Sequence, residues 1–241
     1  MWKSAITKVE PGKIMIRGHP IEDLIGKRGY AEVLFLLIKG RLPNPAEAKI
    51  FDAIIVSSCD HGVTPPSTLI ARTLASTGNE LNAALAGGVL AISRFHGGAI
   101  EGCMEVLIEG VGAGIPAEEM VKKRRAEGKR IPGFGHRIHK KDPRSARLFS
   151  LAQDLKIGGR YIEYALELER SLMTLTGKVL PINVDGAIAT LLCELKIPPH
   201  LSNGLFIISR LAGMLAHIDE EKRREKPMRF IDPKECQYDG D

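Results

Sequence analysis

From Tyr30 to Arg224 the chain is a near-continuous series of helix-length segments, each opened or closed by a local signal, and this punctuation limits the possible folds most strongly. Tyr30 to Lys39 is a dense apolar run stopped by Gly40, with Pro43 beyond it. Asn44, Pro45 and Glu47 supply an N-cap, a first-turn proline and an acid three residues past the cap, which opens a helix to about Ser57. Segments richer in small residues follow at Thr68 to Ser76, Leu81 to Arg94 and Ala99 to Glu109. Gly87 and Gly88 each cost about 1 kcal/mol of helix propensity, so they point to close helix packing or a bend. Pro116 with Glu118 and Glu119 starts a helix through Arg125, and Asp142 with Pro143 starts one through Leu155. Tyr161, Tyr164, Leu168, Leu172 and Leu175 step by three or four, which gives Arg160 to Leu175 one buried face. Gly186 to Lys196 and Ser202 to Arg224 complete the series. Only Lys13 to Gly18 alternates as a short strand would. The expected class is all-α.

Composition narrows the function classes. Aromatics are scarce, at 5%, which argues against a stacking platform for single-stranded nucleic acid. The net charge of +5 is a modest basic excess that can serve nucleic acid, acidic membranes or small polyanions such as nucleotide phosphates and carboxylates. Basic clusters at Lys122 to Arg130 and Lys222 to Arg229 serve equally well as solvated helix faces. Cys59, Cys103, Cys193 and Cys236 lack metal-ligand spacing and lie far apart, which fits a reducing compartment without a metal or a disulfide framework. Met1 to Ser4 opens no apolar leader, and no uncharged apolar stretch of about 18 residues occurs. The expectation is a cytoplasmic protein with no membrane and no nucleic-acid partner.

Three sites stand out against the helical background. His96, followed by Gly97 and Gly98, sits just before a helix, where the dipole disfavours its protonated form. It either caps that helix or, as a neutral imidazole, donates to a developing oxyanion. Pro132, Gly133, Phe134 and Gly135, followed by His136, form a loop with exposed amides and carbonyls, either an ordinary turn or a cradle for a flat heterocycle. Lys129, Arg130, Lys140 and Lys141 flank it and suit phosphates. The spacing matches neither a Walker loop nor a dinucleotide fingerprint. Asp185, within an apolar stretch at a helix start, is an N-cap or a carboxylate base. His61, between Asp60 and Gly62, is a cleft residue or a plain loop histidine. Arg210, mid-helix among Phe206, Ile207, Ile208 and Leu211, needs a partner, structural or substrate.

Taken in order, these motifs resemble the citrate synthase superfamily over nearly the whole length. The matching segments are Ile16 to Leu24, Asp60 to Gly62 with Ser67 and Arg72, His96 to Ala99, Gly133 to Arg137 with Asp142 to Arg144, Asn183 to Asp185, and Ile208 to Arg210. The resemblance implies one citrate-synthase-like domain over 1–241, with large and small helical subdomains around a cleft, the small CoA-binding one at roughly 112–196. It implies a homodimer and no permanent cofactor, coenzyme A thioester being a substrate. By motif, His96 resembles the residue that stabilises the acetyl enol, Asp185 the one that moves the methyl proton, and His136 the one that handles the hydroxyl proton of the citryl group. His61, Arg144 and Arg210 match positions that bind the carboxylates of oxaloacetate, and Pro132 to Gly135 match an adenine-recognition loop with Arg130 and Lys141 beside it.

Departures sharpen the assignment. Synthases commonly carry an aromatic after the catalytic acid, whereas Gly186 and Ala187 follow Asp185. The late Arg-Pro pair of synthases appears as Lys226 and Pro227, with Arg229 as a substitute. Asn183 to Gly186, the tail His217 to Arg223 and the short length are more similar to the citryl-CoA lyase module of ATP-citrate lyase. The expectation is therefore a citryl-CoA lyase yielding acetyl-CoA and oxaloacetate. The alternatives are a short citrate or 2-methylcitrate synthase, a non-catalytic CoA-binding homologue, or a subunit that needs a separate citryl-CoA synthetase partner.

Overall fold

The computed structural model describes residues 1–135 and 142–240. Three short strands come first: β1 (Thr7–Glu10), β2 (Lys13–Ile16) and β3 (His19–Pro20), antiparallel in that order. β2 is the strand that the alternation predicts. β1 went unread because its only strongly apolar residue is Val9, and all four of its residues are exposed. Pro11 and Gly12 make the turn between paired Glu10 and Lys13, Gly12 taking a φ of +72°.

Helices account for the rest: α1 (Ile21–Leu24), α2 (Tyr30–Lys39), α3 (Pro45–Ser57), α4 (Pro66–Ser76), α5 (Leu81–Leu90), α6 (Ala99–Ala113), α7 (Ala117–Ala126), α8 (Pro143–Asp154), α9 (Arg160–Thr176), α10 (Val184–Glu194) and α11 (Ser202–Arg224). The boundary signals act as predicted. Gly40 closes α2 in the left-handed region, and Asn44 and Glu47 exchange backbone-to-side-chain hydrogen bonds of 2.9 Å at the head of α3. On α9 the buried stripe is Tyr164, Ala165, Leu168 and Leu172, narrower than the predicted face because Tyr161 and Leu175 are half-exposed at its ends.

The chain divides into two compact units. The first comprises Met1–Ser57 and Ala99–Leu205, so the range 112–196 lies wholly within it. Its centre is α10, where Val184 and every residue from Gly186 to Cys193 is buried. A helix apolar on all sides must be enclosed, and α6, α8 and α9 enclose it. Phe35 and Phe51 pack edge to face at 5.3 Å where α2 meets α3.

The second unit comprises Ser58–Gly98 and Phe206–Asp241. Here α4 and α5 pack tightly, and Gly87 and Gly88 form the seam. A Cβ on Gly88 would lie 2.9 Å from the Ser67 carbonyl, and one on Gly87 would meet the Leu74 side chain. The pair thus serves packing, not a bend. The helix predicted through Arg94 ends at Leu90 because Ser93 and His96 pair their backbones in both directions at 2.9 Å, closing a tight turn.

Residues 199–224 are long and apolar enough, by length and composition alone, to cross a membrane. The run is not uncharged, since Arg210 interrupts it. Arg210 and Glu221 on this helix are 3% and 1% exposed and hydrogen-bonded within the second unit, as in a core helix.

A close backbone contact in the first unit yields a prediction. A Cβ on Gly186 would lie 2.3 Å from the Gly133 carbonyl oxygen, whereas one on helical Gly204 meets nothing within 4 Å. Gly186→Ala should lower unfolding free energy by about 1–3 kcal/mol in urea titrations. Gly204→Ala should raise it by about 0.4–1 kcal/mol.

Candidate active site

Two glycines let the loop before His136 rest directly on the first turn of α10. Gly133 holds a φ of +84°, and a Cβ there would lie 2.7 Å from Gly186 Cα and 2.9 Å from Cys103 Sγ. The seat is then fastened by backbone. The Gly135 amide donates to Pro181 O at 2.7 Å, the Asn183 amide to Gly133 O at 3.0 Å, and Asn183 Nδ2 to Gly135 O at 2.8 Å. Phe134 and Ile182 form an antiparallel bridge. Glu169, which no sequence signal singled out, accepts from the Ile182 amide at 2.7 Å and steadies the same strand of chain.

Asn183 also accepts from the Gly186 amide at 3.1 Å and is the N-cap of α10. Helix capping therefore does not account for Asp185, which stands one residue inside the helix, part-buried, in its first turn. Its charge is felt at the buried Cys103 thiol, which is pushed up by burial first and then by Cys193 and Asp185. Cys193 is raised to about 12, mainly by burial.

Asp142 caps α8 as predicted, accepting from the Arg144 amide at 3.0 Å, and also does more. Fully buried, it takes the Arg144 guanidinium through Nε at 3.0 Å and Nη2 at 2.9 Å, and accepts from the Val184 amide at 3.1 Å. One carboxylate thus joins the heads of α8 and α10. Burial pushes its carboxyl up, but the Arg144 guanidinium and the backbone amides outweigh burial and hold it below the usual range.

Beside the loop lies a groove of about 480 Å³ lined by Arg124, Arg125, Lys129, Arg130, Ile131, Phe134, Leu172, Lys178 and Leu180, among others. It combines an apolar floor with a cationic rim. Arg130, Ile131 and Phe134 belong to the predicted region. Lys178 was missed because it lies some fifty residues away in sequence and reaches the groove only through the fold. His136 and Lys141 lie outside the described residues.

The second unit holds His61, His96, Arg210 and Arg229. His96 Nε2 lies 2.8 Å from the Oγ of fully buried Ser67, and its ring packs edge to face on Phe206 at 5.8 Å. A φ of +89° at Gly97, where a Cβ would meet Ile92 and Phe206 at 2.8 Å, brings this ring in close. Burial and then the Arg210 charge lower the His96 pKa. Both causes act in the direction expected of a neutral imidazole, and both are additional to the helix dipole read from the sequence. Arg210 donates through Nε to Ser58 O at 3.0 Å and lies 4.9 Å from the Phe206 ring centroid. His61 is exposed on the loop that follows Asp60.

Arg229 is engaged by its own chain. Its Nε and Nη2 donate to Glu221 at 2.9 and 2.7 Å, and Arg72 Nε reaches the same carboxylate at 2.6 Å. Among the described residues no group of three or more His, Cys, Asp or Glu is placed to hold a metal ion.

Residues 1–49 and 43–231 match the family model for the citrate synthase C-terminal domain. The citrate synthase of Synechocystis is 37% identical over 201 residues, covering 81% of this chain and 50% of that protein. The probable ATP-citrate synthase subunit 1 of Neurospora crassa is 29% identical over 239 residues, covering 91% of this chain and 35% of that one. The chain thus spans half or less of these relatives. The solved citryl-CoA lyase of Hydrogenobacter thermophilus superposes with a TM-score of 0.95 at 39% identity, covering 100% of this chain and 95% of that chain.

Asp142→Asn should cost about 1–3 kcal/mol in urea titrations at neutral pH. Because the folded carboxyl titrates below its unfolded value, its stabilisation is present above the ordinary Asp range and lost as pH falls through the folded value. The variant should therefore lose less stability on acidification than the wild type. Equal acid sensitivity would remove Asp142 from this role.

Proposed function

Because the chain belongs to the citrate synthase family, we propose that it is a citryl-CoA lyase, cleaving citryl-CoA to acetyl-CoA and oxaloacetate. The observation that supports the lyase over the synthase is fold likeness: the Hydrogenobacter citryl-CoA lyase superposes with a TM-score of 0.95, whereas the citrate synthase of Thermotoga maritima, covered just as fully, reaches 0.62. The similarity to the Synechocystis citrate synthase keeps a synthase as the second candidate. The two differ in one step: a synthase also hydrolyses the citryl thioester, whereas a lyase keeps water from it.

In the proposed mechanism a base, assigned to His136, takes the proton of the tertiary hydroxyl as the bond between the carbinol carbon and the thioester methylene breaks. The bonding electron pair moves into the thioester, leaving oxaloacetate and an acetyl-CoA enolate. His96 steadies that enolate as a neutral donor. With Ser67 Oγ at Nε2, Nδ1 is the nitrogen assigned to the thioester oxygen, and a depressed pKa keeps the ring in its neutral form near pH 7. Asp185 delivers the proton that turns the enolate carbon into a methyl group.

His61, Arg144 and Arg210 are assigned to the substrate carboxylates. Arg229 is assigned with them, through guanidinium N–H groups other than the Nε and Nη2 hydrogens that Glu221 accepts. We assign the cationic groove to coenzyme A. Arg130 and Lys129 are assigned to its phosphates, as Lys141 is by motif, Arg125 and Lys178 are added to that set, and the Pro132 to Gly135 loop is assigned to the adenine. The range 112–196 is the CoA-binding part on this assignment.

A homodimer is supported by α5, whose apolar residues point in all directions and leave Leu81 and Leu90 exposed. Four free cysteines support a reducing, cytoplasmic setting. A separate citryl-CoA synthetase would supply the substrate.

The test is to give the purified protein citryl-CoA and follow products. Oxaloacetate with acetyl-CoA is expected; citrate with free CoA would establish the synthase, and binding without turnover a non-catalytic homologue. Asp185→Asn should cut turnover by roughly 10²–10⁴ while substrate still binds. Near-wild-type turnover would remove Asp185 from the mechanism.

A further inference from the structure

One face of α11 is built to hold the segment that carries His61. Ser209, Gly213 and His217 recur every four residues and so line up along the helix, with Arg210 beside them. Each takes a successive part of Ser58 to Gly62. Ser58 Oγ donates to Ser209 Oγ at 3.0 Å, and Arg210 Nε donates to Ser58 O at 3.0 Å. The Gly213 amide reaches Cys59 O at 3.1 Å. His217 Nε2 lies 3.0 Å from Asp60 Oδ1, and the other Asp60 oxygen accepts from the Gly62 amide at 3.0 Å.

Two further observations show that the fit is specific. A Cβ on Gly213 would lie 2.4 Å from Cys59 O and 2.7 Å from Asp60 Oδ1, so only glycine lets the segment approach this closely. Asp60 is also the residue immediately before His61, and its side chain spans that residue to reach Gly62. The carboxylate therefore closes a small ring around the His61 backbone while His217 anchors the ring to the helix.

We propose that Asp60 and His217 are positioning residues, which hold the His61 backbone against α11 and so set where its imidazole meets a substrate carboxylate. This deepens the lyase assignment and rests on His61 as a substrate-binding residue. A displacement of the order of an ångström at a binding group is enough to weaken the substrate complex, and loss of the His217 contact removes the side-chain tie between the Asp60 carboxylate and α11. Asp60 and His217 touch no reacting atom in this scheme.

In His217→Ala, KM for citryl-CoA should rise about tenfold with kcat within about threefold of wild type. His217→Gln, whose amide N–H reaches towards the same carboxylate, should restore most of the KM. In a double-mutant cycle, His61→Ala combined with His217→Ala should have a KM no higher than His61→Ala alone. Additive losses, a fall in kcat at unchanged KM, or a Gln variant as impaired as the Ala variant would each overturn the proposal. If the wild-type protein does not turn over citryl-CoA, the lyase assignment has failed by itself. Amide hydrogen exchange then decides the positioning separately: His217→Ala must speed exchange selectively at Cys59 to Gly62, and unchanged exchange there overturns it.

Discussion

The first unit depends on a contact between two stretches of bare backbone. The Gly133 carbonyl lies where a side chain on Gly186 would have to be, so the loop and the head of α10 touch without any side chain between them. This closeness brings Asn183 within reach of both Gly133 and Gly135, and lets it cap α10 at the same time. Asp142 extends the arrangement by tying the head of α8 to the same turn. The candidate acid Asp185 therefore projects from a helix start held by the loop and by the head of α8, both some forty residues or more earlier in the chain. An aromatic next to Asp185, as synthases commonly carry, has no room here, which gives the Gly186 departure a steric cause.

The second unit is organised by charge inside a mostly apolar helix. Burying Arg210 and Glu221 on α11 is costly without partners. Ser58 O and the Phe206 ring receive the first, and Arg72 with Arg229 receives the second. Burial pushes the Glu221 carboxyl up, yet the two guanidinium groups hold it below the usual carboxylate range. At His96 the electrostatics run the other way, since burial and the Arg210 cation both disfavour the protonated ring. One buried arginine thus helps to keep the candidate enol-stabilising histidine neutral.

Helix boundaries were legible because caps and stops are short-range physics. Gly40, Asn44 with Glu47, and Asp142 with Pro143 act through neighbours within a few residues. β1 was illegible because a fully exposed strand carries no burial pattern, and the early end of α5 because the Ser93 and His96 pairing is a turn without a strong residue signal. In the site, His96, Asp185, Arg210 and the Pro132 to Gly135 loop were all found in the sequence by motif. Lys178 and Glu169 were not, and Ser67 and His217 lay in matched motifs without a stated role, since each acts through a partner far along the chain. At Arg229, assigned by motif to a substrate carboxylate, the fold adds a partner that the motif did not indicate, Glu221.

By itself, then, the sequence determined the all-α class, most helix ends and the order of the chemistry-bearing motifs, because periodicity, capping and glycine freedom are local properties of the chain. The tertiary structure alone decided which glycines are packing seams, which carboxylates Arg72, Arg144 and Arg229 meet, and which burial and charge lower the His96 pKa. Those outcomes depend on burial and on contacts between residues scores apart in sequence, such as Arg72 with Glu221 or Gly133 with Gly186, and no local pattern encodes them.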